Sequence, residues 1–115
     1  MADTTSLTLL KGTLDVLILR TLGWQPLHGY AISRWIREQS GDLFQVEEGA
    51  LYPALRRLET RGLIEGEWAL TETGREAKFY NLTDEGRRAM RSEMRDWGRY
   101  VAAMTRVLQA RPARS

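Results

Sequence analysis

The chain has 115 residues, 43% of them apolar and none cysteine, which predicts one domain with at most an appended element and excludes disulfides and cysteine-bound metal. No apolar run approaches the roughly 18 residues of a membrane span, and the N-terminus lacks the basic and apolar stretches of a signal peptide, so a cytoplasmic protein is expected. Residues 1–86 carry a net charge of −4 (9 Lys and Arg, 13 Asp and Glu) and residues 87–115 one of +6 (8 Arg, 2 acids), so charge alone does not indicate a nucleic-acid-binding protein.

The first predicted helix runs from Leu7 to Leu22, and Gly23 with Pro26 ends it. Apolar residues repeat through it at helical spacing, at Leu10, Leu14, Leu17, Ile18 and Leu22. Because these residues cover much of its circumference, we expect the helix to lie between two surfaces.

A second helix is predicted from the segment LHGY, Leu27 to Tyr30, to about Gln39. The side chains expected to point inward, at least in part, are Tyr30, Ile32, Trp35 and Ile36. His28 is the only histidine, and we predict that it caps this helix, because no second acid, base or ligand accompanies it.

The stretch from Glu47 to Ile64 predicts a third helix with two different sides. One face carries Leu51, Leu55, Leu58 and Gly62, and the other carries Pro53, Arg56, Arg57 and Thr60 with Tyr52 at its flank. Proline is tolerated near a helix start, so the helix should begin near Glu48 to Ala50, and Gly62 can end it. Guanidinium groups on one face suit a helix that reads the major groove of DNA, although an amphipathic core helix with solvated arginines has the same pattern.

The second and third helices, joined by the compact connection GDLFQVEE, form a helix-turn-helix. After Gly62, two strand-like runs, 63–70 and 77–82, flank the turn-forming Gly74, which predicts a two-stranded hairpin. A hairpin in this place is the wing of a winged helix, with Thr71, Thr73, Arg75 and Lys78 as candidate phosphate contacts. Glu72 and Glu76 would repel phosphate, so a hairpin that only covers the core is the competing interpretation.

A long C-terminal helix should follow, capped by Thr83 with Asp84 and Glu85 in its first turn. Its apolar residues alternate at spacings of four and three, a heptad seam, at Met90, Met94, Trp97, Val101, Met104 and Leu108. A helix of about 25 residues is nearly 40 Å long, more than a small domain can cover, so we expect a homodimer. The predicted dimer interface consists of the seam from Met94 onward together with Leu10 and Leu14 of the first helix. The competing interpretation is that the seam packs on its own first helix.

Four blocks of the sequence, LKGTLDVLIL, LHGYAISRWI, EGALYPALRRLETRGLI and AKFYNLTDEGRRA, resemble the PadR-type transcriptional regulators of bacteria. The resemblance covers about residues 9–100. It implies a homodimeric DNA-binding repressor whose third helix lies in the major groove and whose hairpin lies at the flanking backbone. Members often carry a more basic wing than TETGREAK, which puts phosphate binding by residues 72–76 in doubt. Some members also accept planar aromatic molecules between paired tryptophans, which implies a small aromatic effector near Met90, Met94, Trp97 and Val101, although packing in the dimer seam explains Trp97 as well.

The sequence thus predicts a mainly α fold with a small β-hairpin (α+β): a winged helix-turn-helix domain (1–82), a dimerisation helix (83–110) and a disordered tail (111–115). The predicted function is a dimeric transcriptional repressor that binds an inverted repeat in double-stranded DNA. The predicted DNA contacts are Tyr52, Pro53, Arg56, Arg57, Thr60, Thr73, Arg75 and Lys78. A winged-helix module that binds protein and not DNA is the alternative, which the negative charge of residues 1–86 favours. The sequence contains neither a phosphate-binding loop nor a nucleophile elbow, so no enzyme activity, cofactor or metal site is predicted.

Overall fold

The computed structural model describes Leu7, Leu9, Leu10 and residues 12–113. Its elements in chain order are α1 (Thr13–Leu22), β1 (Leu27–His28), α2 (Gly29–Gln39), α3 (Glu48–Thr60), β2 (Ile64–Leu70), β3 (Glu76–Leu82) and α4 (Asp84–Gln109). This is the predicted α+β winged helix-turn-helix with a long C-terminal helix. Of the helices within the described residues, none has the length and apolarity that crossing a membrane requires.

One hydrophobic core joins the first three helices to the base of the sheet. Each helix presents apolar residues three or four positions apart, so these side chains lie on one face. The core's buried members include Ile18, Leu19 and Leu22 of α1, Ile32 and Ile36 of α2, and Leu51, Leu55 and Leu58 of α3, with Ile64 of β2. Apolar residues of all three helices are therefore removed from water together, which stabilises the helix-turn-helix as a unit.

The sheet has three antiparallel strands in the order β1-β3-β2, where a two-stranded hairpin was predicted. The helix prediction is wrong for the first two residues of the segment LHGY, because Leu27 pairs with Tyr80 and His28 with Phe79 before α2 begins at Gly29. A strand of two residues is too short to produce an alternation of polar and apolar residues. The predicted cap is confirmed, since the Nδ1 atom of His28 accepts a hydrogen bond from the backbone N–H of Ala31 at 3.3 Å.

Two further details differ from the sequence prediction. Helix α1 begins at Thr13, not Leu7, because Gly12 adopts a left-handed conformation with φ +87° and interrupts the helix. Thr8 and Lys11 of the predicted first turn lie outside the described residues. The side chain of Tyr30, predicted to point at least partly inward, is 65% exposed. Residues 111–113 have no regular secondary structure, and the rest of the predicted tail lies outside the described residues.

Helix α4 is joined to the core through Thr83 and Gly86. The Thr83 hydroxyl donates to the Gly62 carbonyl at 2.7 Å and accepts from the Gly86 N–H at 3.0 Å, which confirms the predicted cap. Gly86 packs so closely on the Leu63 carbonyl that a Cβ atom there would overlap it. Seven residues into the helix, Met90 is still buried and lies beside Gly23. The start of α4 is thus part of the winged-helix core.

Candidate nucleic-acid interface

Helix α3 presents one continuous polar face to solvent. It begins at Glu48 as predicted, and Gly62, with φ +75°, follows its C-terminal end. Buried Leu51, Ala54, Leu55 and Leu58 hold one face in the core, so the opposite face is exposed, with Tyr52, Pro53, Arg56, Arg57 and Thr60. Pro53 lies in the second turn, and it has no N–H to donate to the carbonyl of Gly49, four residues earlier, on the exposed side.

Tyr52 is held in place by the segment LHGY. Gly29 is buried, and a Cβ atom added to it would lie 3.0 Å from both the Cε1 and hydroxyl oxygen atoms of Tyr52. The tyrosine ring therefore lies against bare backbone, and 43% of the side chain remains exposed beside Arg56. The sequence alone predicted no role for Gly29. The available signal was a small residue at the start of α2, where any side chain would extend toward Tyr52 of α3.

Arg57 is oriented toward α1 by an ion pair. Its Nη2 atom lies 3.0 Å from Oδ1 of Asp15, a mostly buried carboxylate on α1, and Arg61 lies 3.9 Å from the other oxygen of the same carboxylate. Arg56 makes no hydrogen bond or ion pair with the residues that the structure describes. Of the two predicted arginines, Arg56 is therefore the one whose guanidinium group can bind DNA without losing an internal partner.

The tip of the wing is a tight turn from Thr71 to Arg75. The Thr71 N–H donates to the Arg75 carbonyl at 2.8 Å, and the Thr71 hydroxyl accepts from the Arg75 N–H at 3.2 Å. Gly74, with φ +80°, provides the left-handed residue that the turn needs. Thr73 and Arg75 are exposed at this tip, next to the acidic side chains of Glu72 and Glu76.

Lys78 lies on the wing but away from its tip. Its Nζ atom is 3.1 Å from Oε1 of Glu59 on α3 and 5.5 Å from the ring centroid of Tyr80. Burial raises the pKa of the Tyr80 hydroxyl, while the positive charge of Lys78 acts in the opposite direction. Two large apolar side chains of β2, Trp68 and Leu70, are 69% and 67% exposed. The sequence predicted the strand β2 but no role for these two residues.

The first residue of the predicted α4 seam is buried, and the later ones are exposed. Met90 is buried in the core of its own chain, whereas Met94, Trp97, Val101, Met104 and Leu108 are all exposed. Leu14 packs partly on the core, and Leu10 is exposed near the N-terminal end of α1. From Met94 onward, the described residues therefore leave the seam without a cover.

A groove of about 400 Å³ lies between the start of α1 and the middle of α4. Trp97 and Tyr100 stack in it with ring centroids 5.7 Å apart, and it is lined further by Leu10, Gly12, Thr13, Val16, Glu93 and Asp96. Burial raises the pKa of the Glu93 carboxyl, and nearby Arg61 partly offsets that rise. Of the four predicted effector residues, only Trp97 lines this groove.

Comparison with known proteins gives concordant results. The family described as "Transcriptional regulator PadR-like family" matches residues 18–92. The negative transcriptional regulator PadR of Bacillus subtilis is 32% identical over 80 residues, which are 70% of this chain and 42% of that protein.

Solved structures agree with this family match. A PadR family transcription regulator of Clostridium difficile superposes with a TM-score of 0.74 at 31% identity, covering 84% of this chain and 99% of that one. A PadR family transcriptional regulator of Eggerthella lenta gives a TM-score of 0.75 at 32% identity, covering 88% and 86%.

Proposed function

The chain belongs to the PadR-like family of transcriptional regulators, and we propose that it acts as a dimeric repressor on an inverted-repeat operator in the cytoplasm. Members of this family regulate transcription by binding DNA and are not enzymes. The dimer and the residues that contact DNA are therefore what we propose. The observation that carries it is the exposed face of α3, where Arg56 has no internal partner among the described residues and Tyr52 is fixed against Gly29.

We propose that Tyr52, Pro53, Arg56 and Thr60 enter the major groove, while Thr73 and Arg75 contact phosphates from the wing tip. A guanidinium group suits guanine edges or phosphate oxygens, and short hydroxyl groups suit phosphate oxygens. Arg57 and Lys78 differ from this group, because binding DNA would compete with their ion pairs to Asp15 and Glu59. The proposed set of groove contacts is therefore smaller than the polar face of α3.

The dimer is supported by the uncovered seam of α4, Met94, Trp97, Val101, Met104 and Leu108. Apolar residues at spacings of three and four on one long helix are typical of helix pairing between chains. A two-fold axis would place two copies of α3 on one face of DNA, so the half-sites should lie one helical turn or a multiple apart.

A small aromatic effector is proposed for the groove beside Trp97. The stacked rings of Trp97 and Tyr100 offer a flat apolar surface, and Glu93 and Asp96 favour a positive charge on the ligand. Thioflavin T, a planar cationic dye, should bind the protein and fluoresce more brightly. Trp97→Ala should abolish the signal and Trp24→Ala should preserve it, since Trp24 stacks under Arg20 outside this groove. Equal signals from both variants would contradict an effector site at Trp97.

The decisive experiment is a salt-titrated anisotropy assay with DNA from upstream of the chain's own gene and random DNA as competitor. We expect specific binding at least about a thousandfold tighter than binding to random DNA. Arg56→Ala should cost about 1 to 3 kcal/mol if Arg56 reads a base, and should flatten the salt dependence by about one counterion if it contacts phosphate.

The control for Arg56→Ala is Arg99→Ala, which removes the same charge from the exposed part of α4, where Arg99 lies 3.8 Å from Asp96. Equal affinity and equal salt dependence of the two variants and the wild type would show that Arg56 does not contact DNA.

A module that binds protein and not DNA is the second candidate. The acidic wing favours it, because Glu72 and Glu76 are exposed and Glu76 pairs with Leu70, which is itself exposed together with Trp68. Binding to upstream DNA that is weak and disappears with salt in the same way as binding to random DNA would favour this alternative.

A further inference from the structure

The side chain of Lys78 extends from the wing to α3. Lys78 pairs with Trp68 in the register of β2 and β3, and its Nζ atom reaches Oε1 of Glu59 on α3 at 3.1 Å. Only 31% of the Lys78 side chain and 35% of the Glu59 side chain are exposed. Solvent therefore screens this ion pair less than it screens a pair on the open surface.

Gly66 provides the path that the Lys78 side chain follows. A Cβ atom on Gly66 would overlap the Cε atom of Lys78 and would lie 3.1 Å and 3.2 Å from its Cγ and Cδ atoms. The aliphatic stem therefore lies flat across the bare backbone of β2, with the ammonium group 5.5 Å from the Tyr80 ring centroid. Any side chain at position 66 would require this stem to move from its position across β2.

The Lys78–Glu59 pair is the polar side-chain link between the wing and α3. Among the residues that the structure describes, it is the one side-chain hydrogen bond or ion pair that connects α3 with β2 or β3. The outer part of the hairpin is otherwise exposed from Glu67 to Leu70. Beyond the buried base of the sheet, this pair is therefore the polar contact that can set the position of the wing relative to α3.

We propose that Glu59, Lys78 and Gly66 form a latch that fixes the wing relative to α3, and that Lys78 is a positioning residue and not a phosphate contact. The consequence for DNA binding rests on the proposed function: the helix and the wing tip must reach the groove and the backbone at the same time. A latch that sets their angle before binding lowers the ordering cost of the complex.

Glu59→Gln separates the latch from a phosphate contact, because it removes one negative charge and releases Lys78. The latch predicts about fivefold weaker binding to the upstream DNA, the size of one partly screened ion pair. If Lys78 contacts phosphate instead, releasing it from Glu59 and removing a negative charge should strengthen binding, which would overturn the proposal.

Glu67→Gln is the matched control, because it removes the same charge from the face of β2 opposite to Gly66 and Lys78. This variant should bind DNA like the wild type. Gly66→Ala is the second variant: it should displace the flexible Lys78 side chain, keep every charge and weaken binding as Glu59→Gln does. Equal affinity of Glu59→Gln and Glu67→Gln would also overturn the latch.

A measurement without DNA distinguishes failure of the latch from failure of the proposed function. Backbone ¹⁵N order parameters of residues 68–78 should fall in Glu59→Gln and Gly66→Ala, and should stay at wild-type values in Glu67→Gln. A wild type that binds no specific DNA would refute the repressor while this test still decides the latch. Unchanged order parameters in Glu59→Gln would overturn the latch whatever the DNA assay gives.

Discussion

The two halves of α4 have the same backbone conformation but opposite surroundings. From Asp84 to Met90 the helix is part of the core: Gly86 lies on the Leu63 carbonyl, and Met90 is buried beside Gly23. From Met94 to Leu108 every large apolar residue is exposed. A helix of about a dozen residues is marginal in water, so the first half is stabilised by its own chain while the second half needs a cover. One helix is thus a core element at one end and carries an uncovered apolar face at the other.

Substituting one glycine in each half tests this contrast most strongly. Gly86→Ala should lower the free energy of unfolding by about 3 kcal/mol, because the added Cβ atom overlaps the Leu63 carbonyl and backbone cannot easily move away. Gly98→Ala, the same change in the exposed half, should raise it by about 0.5 to 1 kcal/mol, because a Cβ atom there would meet no described atom within 4 Å beyond its chain neighbours and the backbone of its own helix, and alanine favours helix. Chemical denaturation measures both changes.

The result that would contradict the contrast is a similar effect of the two substitutions. A destabilising Gly98→Ala, combined with a dependence on protein concentration, would instead indicate that atoms of a second chain approach that residue.

A charge in the exposed half should break the proposed dimer without unfolding the core. Val101→Glu would place two carboxylates at the two-fold seam, one from each chain, and we expect association to weaken by about 2 kcal/mol, or roughly thirtyfold in Kd. Analytical ultracentrifugation measures the change. Arg95→Glu is the control, because Arg95 lies on the side of α4 away from the seam. If Val101→Glu associates as the wild type does, the seam is not the dimer interface.

Local signals in the sequence predicted most of the elements. The start of α3 at Glu48, the left-handed Gly62 and the helix caps at His28 and Thr83 each depend on a few neighbouring residues whose chemistry is visible in one sequence. The short strand β1 was missed for the same reason, because its partner Tyr80 is far away along the chain.

The pairing of side chains could not be predicted, since it depends on contacts between distant residues. Arg57 and Asp15 are 42 positions apart, and Lys78 and Glu59 are 19 apart. Periodicity places Arg56 and Arg57 on the same polar face, but only the packing of α1 against α3 shows which of them already has a partner. The sequence alone therefore predicted a polar face, and the fold shows which of its residues already have an internal partner.

Glu93 lies at the boundary between the two halves of α4 and provides the smallest expected effect. Burial raises the pKa of its carboxyl, so the folded chain binds this proton more tightly than the unfolded chain does. The penalty for ionising Glu93 is therefore absent below the ordinary pKa of glutamate, and it develops fully as the pH rises through the higher pKa of the folded state.

Glu93→Gln should consequently raise the melting temperature slightly at about pH 7 and leave it unchanged at about pH 3, well below the ordinary pKa of glutamate, where the wild-type residue is protonated in both states. Asp96→Asn, one turn further along, provides the comparison, because Asp96 is exposed and pairs with Arg99. A stabilisation by Glu93→Gln that is equal at both pH values would show that packing, and not the ionisation of a half-buried carboxyl, distinguishes this boundary.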